Sequence, residues 1–498
     1  MKTKAKKLVT LILTALLVLS ILPMNVFAEQ RNVVSDSKAS ITINNAVKND
    51  EFKAYKVVDI AYNAANNTLS YAWNSDFADY FDGTTAYNST AYTVEQFDAL
   101  TDDSDDLKTL LAGLPKYIAD KSITRVDTQT VAADGTATFA NLAMGEYFIR
   151  PTSTTSVYQL MLQKVEPIVS GNKYVIDDVT FTAKRKEVSV DKAADKTSVT
   201  KGEKVTYTIT VDIPTYASQA VDKSFYVSDL LPDGLTIDKN SIKVQIEGVT
   251  VAAVAYTLDT TATAEYTFKL SVDTAQYAEK WSTNGGKKLV ITYTATLKGD
   301  TTTEVNVEET NTVTFDYSNY PYVGNSHAQK KDTVDVTTFA IKIDKFVKDQ
   351  EDNKLAGAKF DLYRTATPAE IDTEKSSEIP HTSIQGIKLE GEKVTNANGV
   401  ATFEKYEANG NKYDYYLVET QAPSGYNLLD NAVKVNFTDA VVAETNGIYT
   451  VKIENTSGIQ LPITGGTGTV IFTVVGIALM AGAVVLFVVS RKKAEESK

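Results

Sequence analysis

The chain has 498 residues, a formal net charge of −13 and no cysteine. The acidic balance argues against nucleic acid or an anionic lipid surface as the main partner, and without cysteine any covalent brace in an exported protein of this size is something other than a disulfide. The length suits about three domains of ordinary size.

In chain order, Lys2, Lys4, Lys6 and Lys7 form a basic start, Leu8 to Leu22 an apolar run, and Val26-Phe27-Ala28 a processing site. Residues 1–28 therefore read as a secretory signal peptide cut after Ala28. The first domain spans residues 29–185, with an opening strand at Ile41-Thr42-Ile43-Asn44. Its stretch Val94 to Ile118 carries Phe97, Leu100, Leu107, Leu110, Leu111 and Leu114 at helical spacing and reads as a helical insertion. Period-two alternation marks half-buried strands at Val205 to Val211, Leu289 to Leu297 and Val334 to Ile343. Threonine, valine and 27 tyrosines supply a β-sheet vocabulary throughout. A middle domain spans residues 186–338 and a third residues 339–458. The linkers carry no Gly/Ser or Pro-rich tract, which favours a stiff, elongated rod.

An internal echo relates the first and third domains. Asp134-Gly135-Thr136-Ala137-Thr138-Phe139 precedes Gly145-Glu146-Tyr147-Phe148-Ile149-Arg150, and Asn398-Gly399-Val400-Ala401-Thr402-Phe403 precedes Tyr415 to Thr420. Each reads as a tight turn, a short strand, a loop and a second strand. The fold class is all-β: tandem immunoglobulin-like sandwiches, with a signal peptide before them and a transmembrane helix after them. No nucleophile elbow, His-Glu-x-x-His or phosphate loop is present, so the chain reads as no enzyme. Asp102 to Asp106 and Asp349 to Asn353 lack the twelve-residue calcium loop with its closing glutamate. The two histidines, His327 and His381, are far apart, and neither metal nor cofactor is expected.

Tyr416-Leu417-Val418-Glu419-Thr420-Gln421-Ala422-Pro423-Ser424-Gly425-Tyr426 resembles the E-box of Gram-positive pilins. The third domain resembles the B-type repeat of collagen-binding proteins, opening at Ile343-Asp344-Lys345 and closing at Val451-Lys452-Ile453-Glu454-Asn455. The resemblance implies an amide joining Lys345 to Asn455, with Glu419 catalysing its formation. Burial favours a neutral lysine amine and a neutral carboxylic acid. Such an acid polarises the asparagine carboxamide and moves protons as ammonia leaves, and folding supplies the proximity.

The middle domain resembles the A-type fold of the same proteins. Val188 to Lys192 opens it, Val227-Ser228-Asp229-Leu230-Leu231-Pro232 resembles the segment with the catalytic acid, and Asn311 to Asn319 resembles the closing strand. The resemblance implies Lys192 bonded to Asn311 with Asp229 as the acid, Glu265 being the alternative acid. The first domain, B-type-like, departs from the pattern. Aligning the echo sets Arg150 against Glu419 and Glu146 against Tyr415, and the opening strand has no matching lysine, so no such bond is expected there. In this family a lysine at the end of the first domain accepts the threonine of the next subunit. Lys184 holds that place without the family's Tyr-Pro pair before it, and Lys186 is its rival.

Residues 459–498 close the chain. Leu461-Pro462-Ile463-Thr464-Gly465 is followed by an apolar segment at 470–490, long enough as a helix to cross a bilayer, and by Arg491, Lys492 and Lys493, which favour the cytoplasmic side. This order resembles the cell-wall sorting signal of Gram-positive surface proteins. It implies that a sortase cleaves after Thr464 and passes its carboxyl to an amine. The partners implied are class C and housekeeping sortases, further copies of the chain, minor pilins, peptidoglycan and a host matrix or cell surface. The chain is then expected at the cell wall, in a pilus, as a shaft subunit. The competing reading is a wall-anchored adhesin, or a basal or tip pilin, that does not polymerise.

Overall fold

The computed structural model describes residues 31–32, 36–101, 104–153, 156–171, 173–247, 249–252, 255–298, 308–371, 373–408, 414–437, 447–457 and 467–495. The signal peptide and the Leu461 to Gly465 pentapeptide lie outside the described residues.

Three sandwich units follow one another, each around its own apolar core. In the first, strand Lys38–Asn44 pairs antiparallel with Ala137–Ala143 and parallel with the exit strand Val179–Thr182. The facing sheet is Thr68–Trp73, Glu51–Asn63, Gly145–Ser153 and Met161–Val165 in that order. The expected helical insertion is present as two helices rather than one. Val94–Asp98 is capped by Thr93 and Gln96 acting reciprocally, and Asp105–Asp120 is capped by Ser104. Ser104 satisfies the first free amides of a new helix, which is why the chain restarts there instead of running on. Phe97, Leu107, Leu110, Leu111 and Leu114 are buried in the first core.

The middle unit stacks the sheet Val190–Ala194, Lys204–Asp212, Lys288–Leu297, Leu235–Ile246, Val249–Thr250 on the sheet Thr257–Asp259, Phe268–Val272, Phe225–Leu230, Glu308–Ser318, His327–Thr337. Alternation reads directly as burial here: Val205, Tyr207, Ile209 and Val211 point inward, as do Leu289, Ile291, Tyr293, Ala295 and Leu297. The run Val334 to Ile343 is not one strand. It splits into His327–Thr337, the last strand of the middle unit, and Phe339–Val347, the first of the third, with Thr338 between them. The third unit pairs Phe339–Val347 antiparallel with Val400–Tyr406 and parallel with the final strand Ile448–Asn455. Its other sheet runs Ser376–Glu378, Gln385–Val394, Lys359–Thr365, Tyr415–Gln421, Val433–Val435. Beyond it, helix Thr467–Glu495 contains the apolar span Val474–Arg491, of mean hydropathy 2.3 and with none of its surface covered by the rest of the protein.

Neighbouring units touch directly. The loop between Glu308–Ser318 and His327–Thr337 leans Tyr320 and Tyr322 on Ala112 of the first unit, and the Arg150 guanidinium lies 5.8 Å from the Tyr320 ring. At the other end, Lys201 donates its amide to the Lys405 carbonyl and pairs its ammonium with Glu390, while the Glu407 amide donates to the Thr200 hydroxyl.

His327 fastens the root of that first loop. Its Nδ1 lies 2.5 Å from Asp316, and its Nε2 lies 3.1 Å from Asp222 and 3.3 Å from the Ser224 hydroxyl. The Tyr226 ring stacks on the imidazole, and the Lys269 ammonium lies 4.4 Å from the centre of that ring. The Asp316 hydrogen bond raises the His327 pKa against the opposing effect of burial, with Asp222 adding to the rise. Burial pushes both carboxyls up, but hydrogen bonds from Ser224 and His327 hold Asp222 below its ordinary value, and those from His327 and Gln329 do the same for Asp316. The histidine contribution is therefore complete below its unfolded pKa of about 6.5 and fades as pH rises through the higher folded value. The carboxylate contribution fades as pH falls through their depressed values. Raising pH from 6 to 9 is expected to destabilise the middle unit, and His327→Gln is expected to flatten that dependence. Melting of both proteins across this range is the check; an unchanged slope in the variant would remove His327 from the account.

Candidate functional site

Two lysine–acid–asparagine sets are assembled in the cores of the middle and third units. In the third, the parallel pairing of the first and last strands brings Lys345 beside Asn455, 110 positions later in the chain. The Asn398-Gly399 turn holds the lysine backbone. Gly399, at φ +71°, accepts the Lys345 amide through its carbonyl at 2.8 Å, and a Cβ there would lie 2.2 Å from the Lys345 carbonyl oxygen. Only glycine suits both the backbone angle and the approach. Lys345, Glu419 and Asn455 are buried. The Lys345 ammonium contacts Asn455 Oδ1 and lies 3.6 Å from Glu419 Oε1. Asn455 Nδ2 donates to both Glu419 oxygens at 3.1 Å and to the Asn427 carbonyl at 2.9 Å. Burial lowers the Lys345 pKa to about 8 despite the opposing charge of Glu419, and the Phe360 ring lies 6.0 Å from its nitrogen. An amine moved toward its neutral form, a carboxamide hydrogen-bonded to a carboxyl group, and that carboxyl 3.6 Å from the amine are the parts that amide exchange requires.

In the middle unit the corresponding groups come from both sheets. Lys192 stands on Val190–Ala194, and Asp229 and Asn311 stand on the adjacent strands Phe225–Leu230 and Glu308–Ser318 of the facing sheet. All three are buried. Lys192 Nζ contacts Asp229 Oδ2, and its backbone amide donates to Asp332 at 2.7 Å. Burial lowers the Lys192 pKa and raises that of Asp229, each partly countered by the other's charge, so both groups move toward their neutral forms. Glu265, the alternative acid, is exposed in the loop before Phe268–Val272 and is no part of this cluster.

Tyr293 completes the arrangement, and the sequence reading did not single it out. Its hydroxyl donates to Asp229 Oδ1 at 2.8 Å and accepts from Lys192 Nζ at 3.0 Å and from Asn311 Nδ2 at 2.7 Å. Tyr207, directly opposite in register, stacks on it with ring centroids 5.4 Å apart. The Tyr207 hydroxyl and Asn311 Oδ1 are both buried without a hydrogen-bond partner of ordinary geometry. The available signal was a pair of inward tyrosines in alternating strands, since a buried phenol needs a polar partner.

Residues 340–457 match the family described as a Prealbumin-like fold domain, and residues 453–496 match the LPXTG cell wall anchor motif. The fimbrial subunit type 1 of Actinomyces viscosus is 26% identical over 418 residues, covering 74% of this chain and 78% of that protein. The chain thus joins a Prealbumin-like fold domain to a cell-wall anchor motif and is similar to a Gram-positive fimbrial subunit. The T6 backbone pilin of serotype M6 Streptococcus pyogenes shares this chain's fold with a TM-score of 0.57 at 21% identity, over 81% of this chain and 80% of that one. The major pilin SpaA of Corynebacterium diphtheriae does so with a TM-score of 0.52 at 19% identity, over 84% and 100%.

The first unit has different residues at the matching places. The Ala46 amide donates to the Gly135 carbonyl as that of Lys345 does to Gly399, which sets alanine at the lysine position. The acid position also moves. Glu419 lies opposite Phe360, and it is Pro151, not Arg150, that lies opposite Phe52. Tyr147, rather than Glu146, then matches Tyr415, and each donates its hydroxyl to an upstream carbonyl, Ala143 or Glu407. One residue of slip turns every side chain to the other face of a strand, so the aligned motifs were out of phase. Arg150 instead lies over the rings of Tyr55 and Tyr320, and Glu146 is buried, its pKa pushed up to about 8 by that burial.

Lys184 is exposed between strands Val179–Thr182 and Arg185–Lys186. It borders a cavity of about 260 Å³ lined by residues of the first two units, among them Leu107, Leu160, Phe181 and Tyr322. Lys186 is exposed as well and pairs in register with Val157.

Proposed function

We propose that this chain is the shaft subunit of a covalently polymerised pilus. A sortase joins Thr464 of one copy to Lys184 of the next and finally to the wall, and Lys345–Asn455 and Lys192–Asn311 amide bonds brace each copy. The observation that carries the reading is the pair of buried lysine–acid–asparagine sets in consecutive units ahead of a wall-anchor motif. Each desolvated lysine costs several kcal/mol unless neutralised or joined, which supports a bracing bond in each of the two units. Glu419 and Asp229 act as the acids of a single-turnover reaction, and no cofactor takes part. Lys184 supports the acceptor role by its exposure beside a cleft between two units.

The test is a boiled denaturing gel of wall extracts from cells making the chain together with a pilus-forming sortase. A ladder of multiples is expected, lost in Lys184→Ala and kept in Lys186→Ala. Monomer-sized material alone from the unaltered chain would leave only the anchored, non-polymerising role.

A further inference from the structure

We propose that Tyr293 is a catalytic residue of the middle unit, its hydroxyl carrying the proton between Asp229 and the Asn311 carboxamide that the aspartate is too short to reach. The inference rests on the Lys192–Asn311 bond proposed above.

The two sets differ in one respect. In the third unit the acid touches the carboxamide itself, both Glu419 oxygens lying 3.1 Å from Asn455 Nδ2. Aspartate is one methylene shorter, and the Asp229 carboxyl hydrogen-bonds Lys192 and Tyr293 but not Asn311. The tyrosine oxygen fills the gap. A phenol has one proton and two acceptor sites. Here the proton goes to Asp229, and the acceptor sites take Lys192 Nζ and Asn311 Nδ2. The Lys192 nitrogen also lies 5.4 Å from the Tyr293 ring centre and 5.3 Å from that of Tyr207, so two aromatic rings flank the amine.

The step balances with the groups present. It begins with neutral Lys192 and with Asp229 protonated on Oδ1, that proton turned toward the Tyr293 oxygen and the phenol O–H turned from Asp229 toward Asn311 Nδ2, the reverse of the resting hydrogen bonds. The Nζ lone pair forms a bond to Asn311 Cγ, and the carbonyl π pair moves onto Oδ1, in a carboxamide whose side chain interacts with the Tyr207 hydroxyl. Asp229 Oδ1 gives its proton to the Tyr293 oxygen as the phenol proton passes to Nδ2. The oxygen pair returns, the Cγ–Nδ2 bond breaks and ammonia leaves. Nζ gives one proton to Asp229 Oδ2, so the acid ends as it began. The products are one secondary amide and one ammonia.

The experiment compares the full-length chain with Tyr293→Phe, following the Lys192–Asn311 cross-linked tryptic peptide by mass spectrometry at intervals after a synthesis pulse. The cross-link is expected to form at least tenfold more slowly in Tyr293→Phe, while the Lys345–Asn455 cross-link in the same molecules forms at the unaltered rate and reports that the chain folds. Adding Asp229→Glu to Tyr293→Phe is expected to restore it, because the longer acid then reaches the carboxamide as Glu419 does. Equal rates in the unaltered chain and Tyr293→Phe would overturn the relay. So would loss in Tyr293→Phe that the longer acid does not restore, since the ring would then be only structural. Absence of the Lys192–Asn311 peptide from the unaltered chain would overturn the bond itself, and with it this inference.

Discussion

Glu419→Ala is expected to leave Lys345 and Asn455 unjoined in every molecule. The protein then retains one ammonia, about 17 Da, relative to the unaltered chain. The methyl group cannot hydrogen-bond the Asn455 amide or carry a proton between amine and carboxamide, while the neighbours that align the pair, Gly399 and Asn427, are untouched. By analogy with a disulfide closing a loop of this length, the lost bond is worth on the order of 4–5 kcal/mol. For a unit of this size that corresponds to a melting temperature lower by roughly 20 °C. Glu419→Gln preserves most of the shape and lacks the exchangeable acid proton, so it is expected to lose the cross-link too. Intact mass and calorimetry together decide the matter. An alanine variant that still lacks the ammonia would mean that another group does this chemistry.

Asp229→Ala is expected to be more damaging than Lys192→Met, although both abolish the same bond. Removing the aspartate strands a buried amine with no countercharge, a cost of about 3–5 kcal/mol beyond the missing cross-link. Removing the lysine leaves a carboxyl that burial already favours as its neutral acid, with Tyr293 still donating to it. Methionine fills the space of the lysine stem with apolar atoms. Melting of the two variants side by side tests this ordering, and equal or reversed stabilities would show that Asp229 does not neutralise Lys192.

Much of this was legible in the chain. Period-two burial in Lys204–Asp212 and Lys288–Leu297 follows from sequence because alternation is local. Lys345, Glu419 and Asn455 lie in strands with distinctive flanking residues, and the structure brings them together. What escaped depends on contacts between distant strands. Tyr293 looks like any inward tyrosine until the facing sheet sets Asp229 and Asn311 against its hydroxyl. The slip between Arg150 and Pro151 arises where register shifts interrupt the Glu51–Asn63 and Gly145–Ser153 pairing. The division of Val334 to Ile343 at Thr338 is invisible to periodicity, because alternation continues across the seam between two cores.

On the proposed reading of a shaft subunit with two cross-links, their positions would determine which parts of the molecule can lengthen when a fibre is pulled. In the third unit a load entering at Phe339 would reach Lys345 six residues on and leave at once through Asn455, so everything between would be bypassed. In the middle unit the load crosses early, from Lys192 to Asn311, and must still travel along the rest of Glu308–Ser318, around the tyrosine loop and back through His327–Thr337. That hairpin is about 27 residues of chain, roughly 90 Å if drawn straight. Its strands are antiparallel and are drawn apart from the open end, one ladder rung at a time. Each subunit would thus contain one short extensible element with a rigid body on either side of it, and the histidine clamp at its tip would set how readily it recoils.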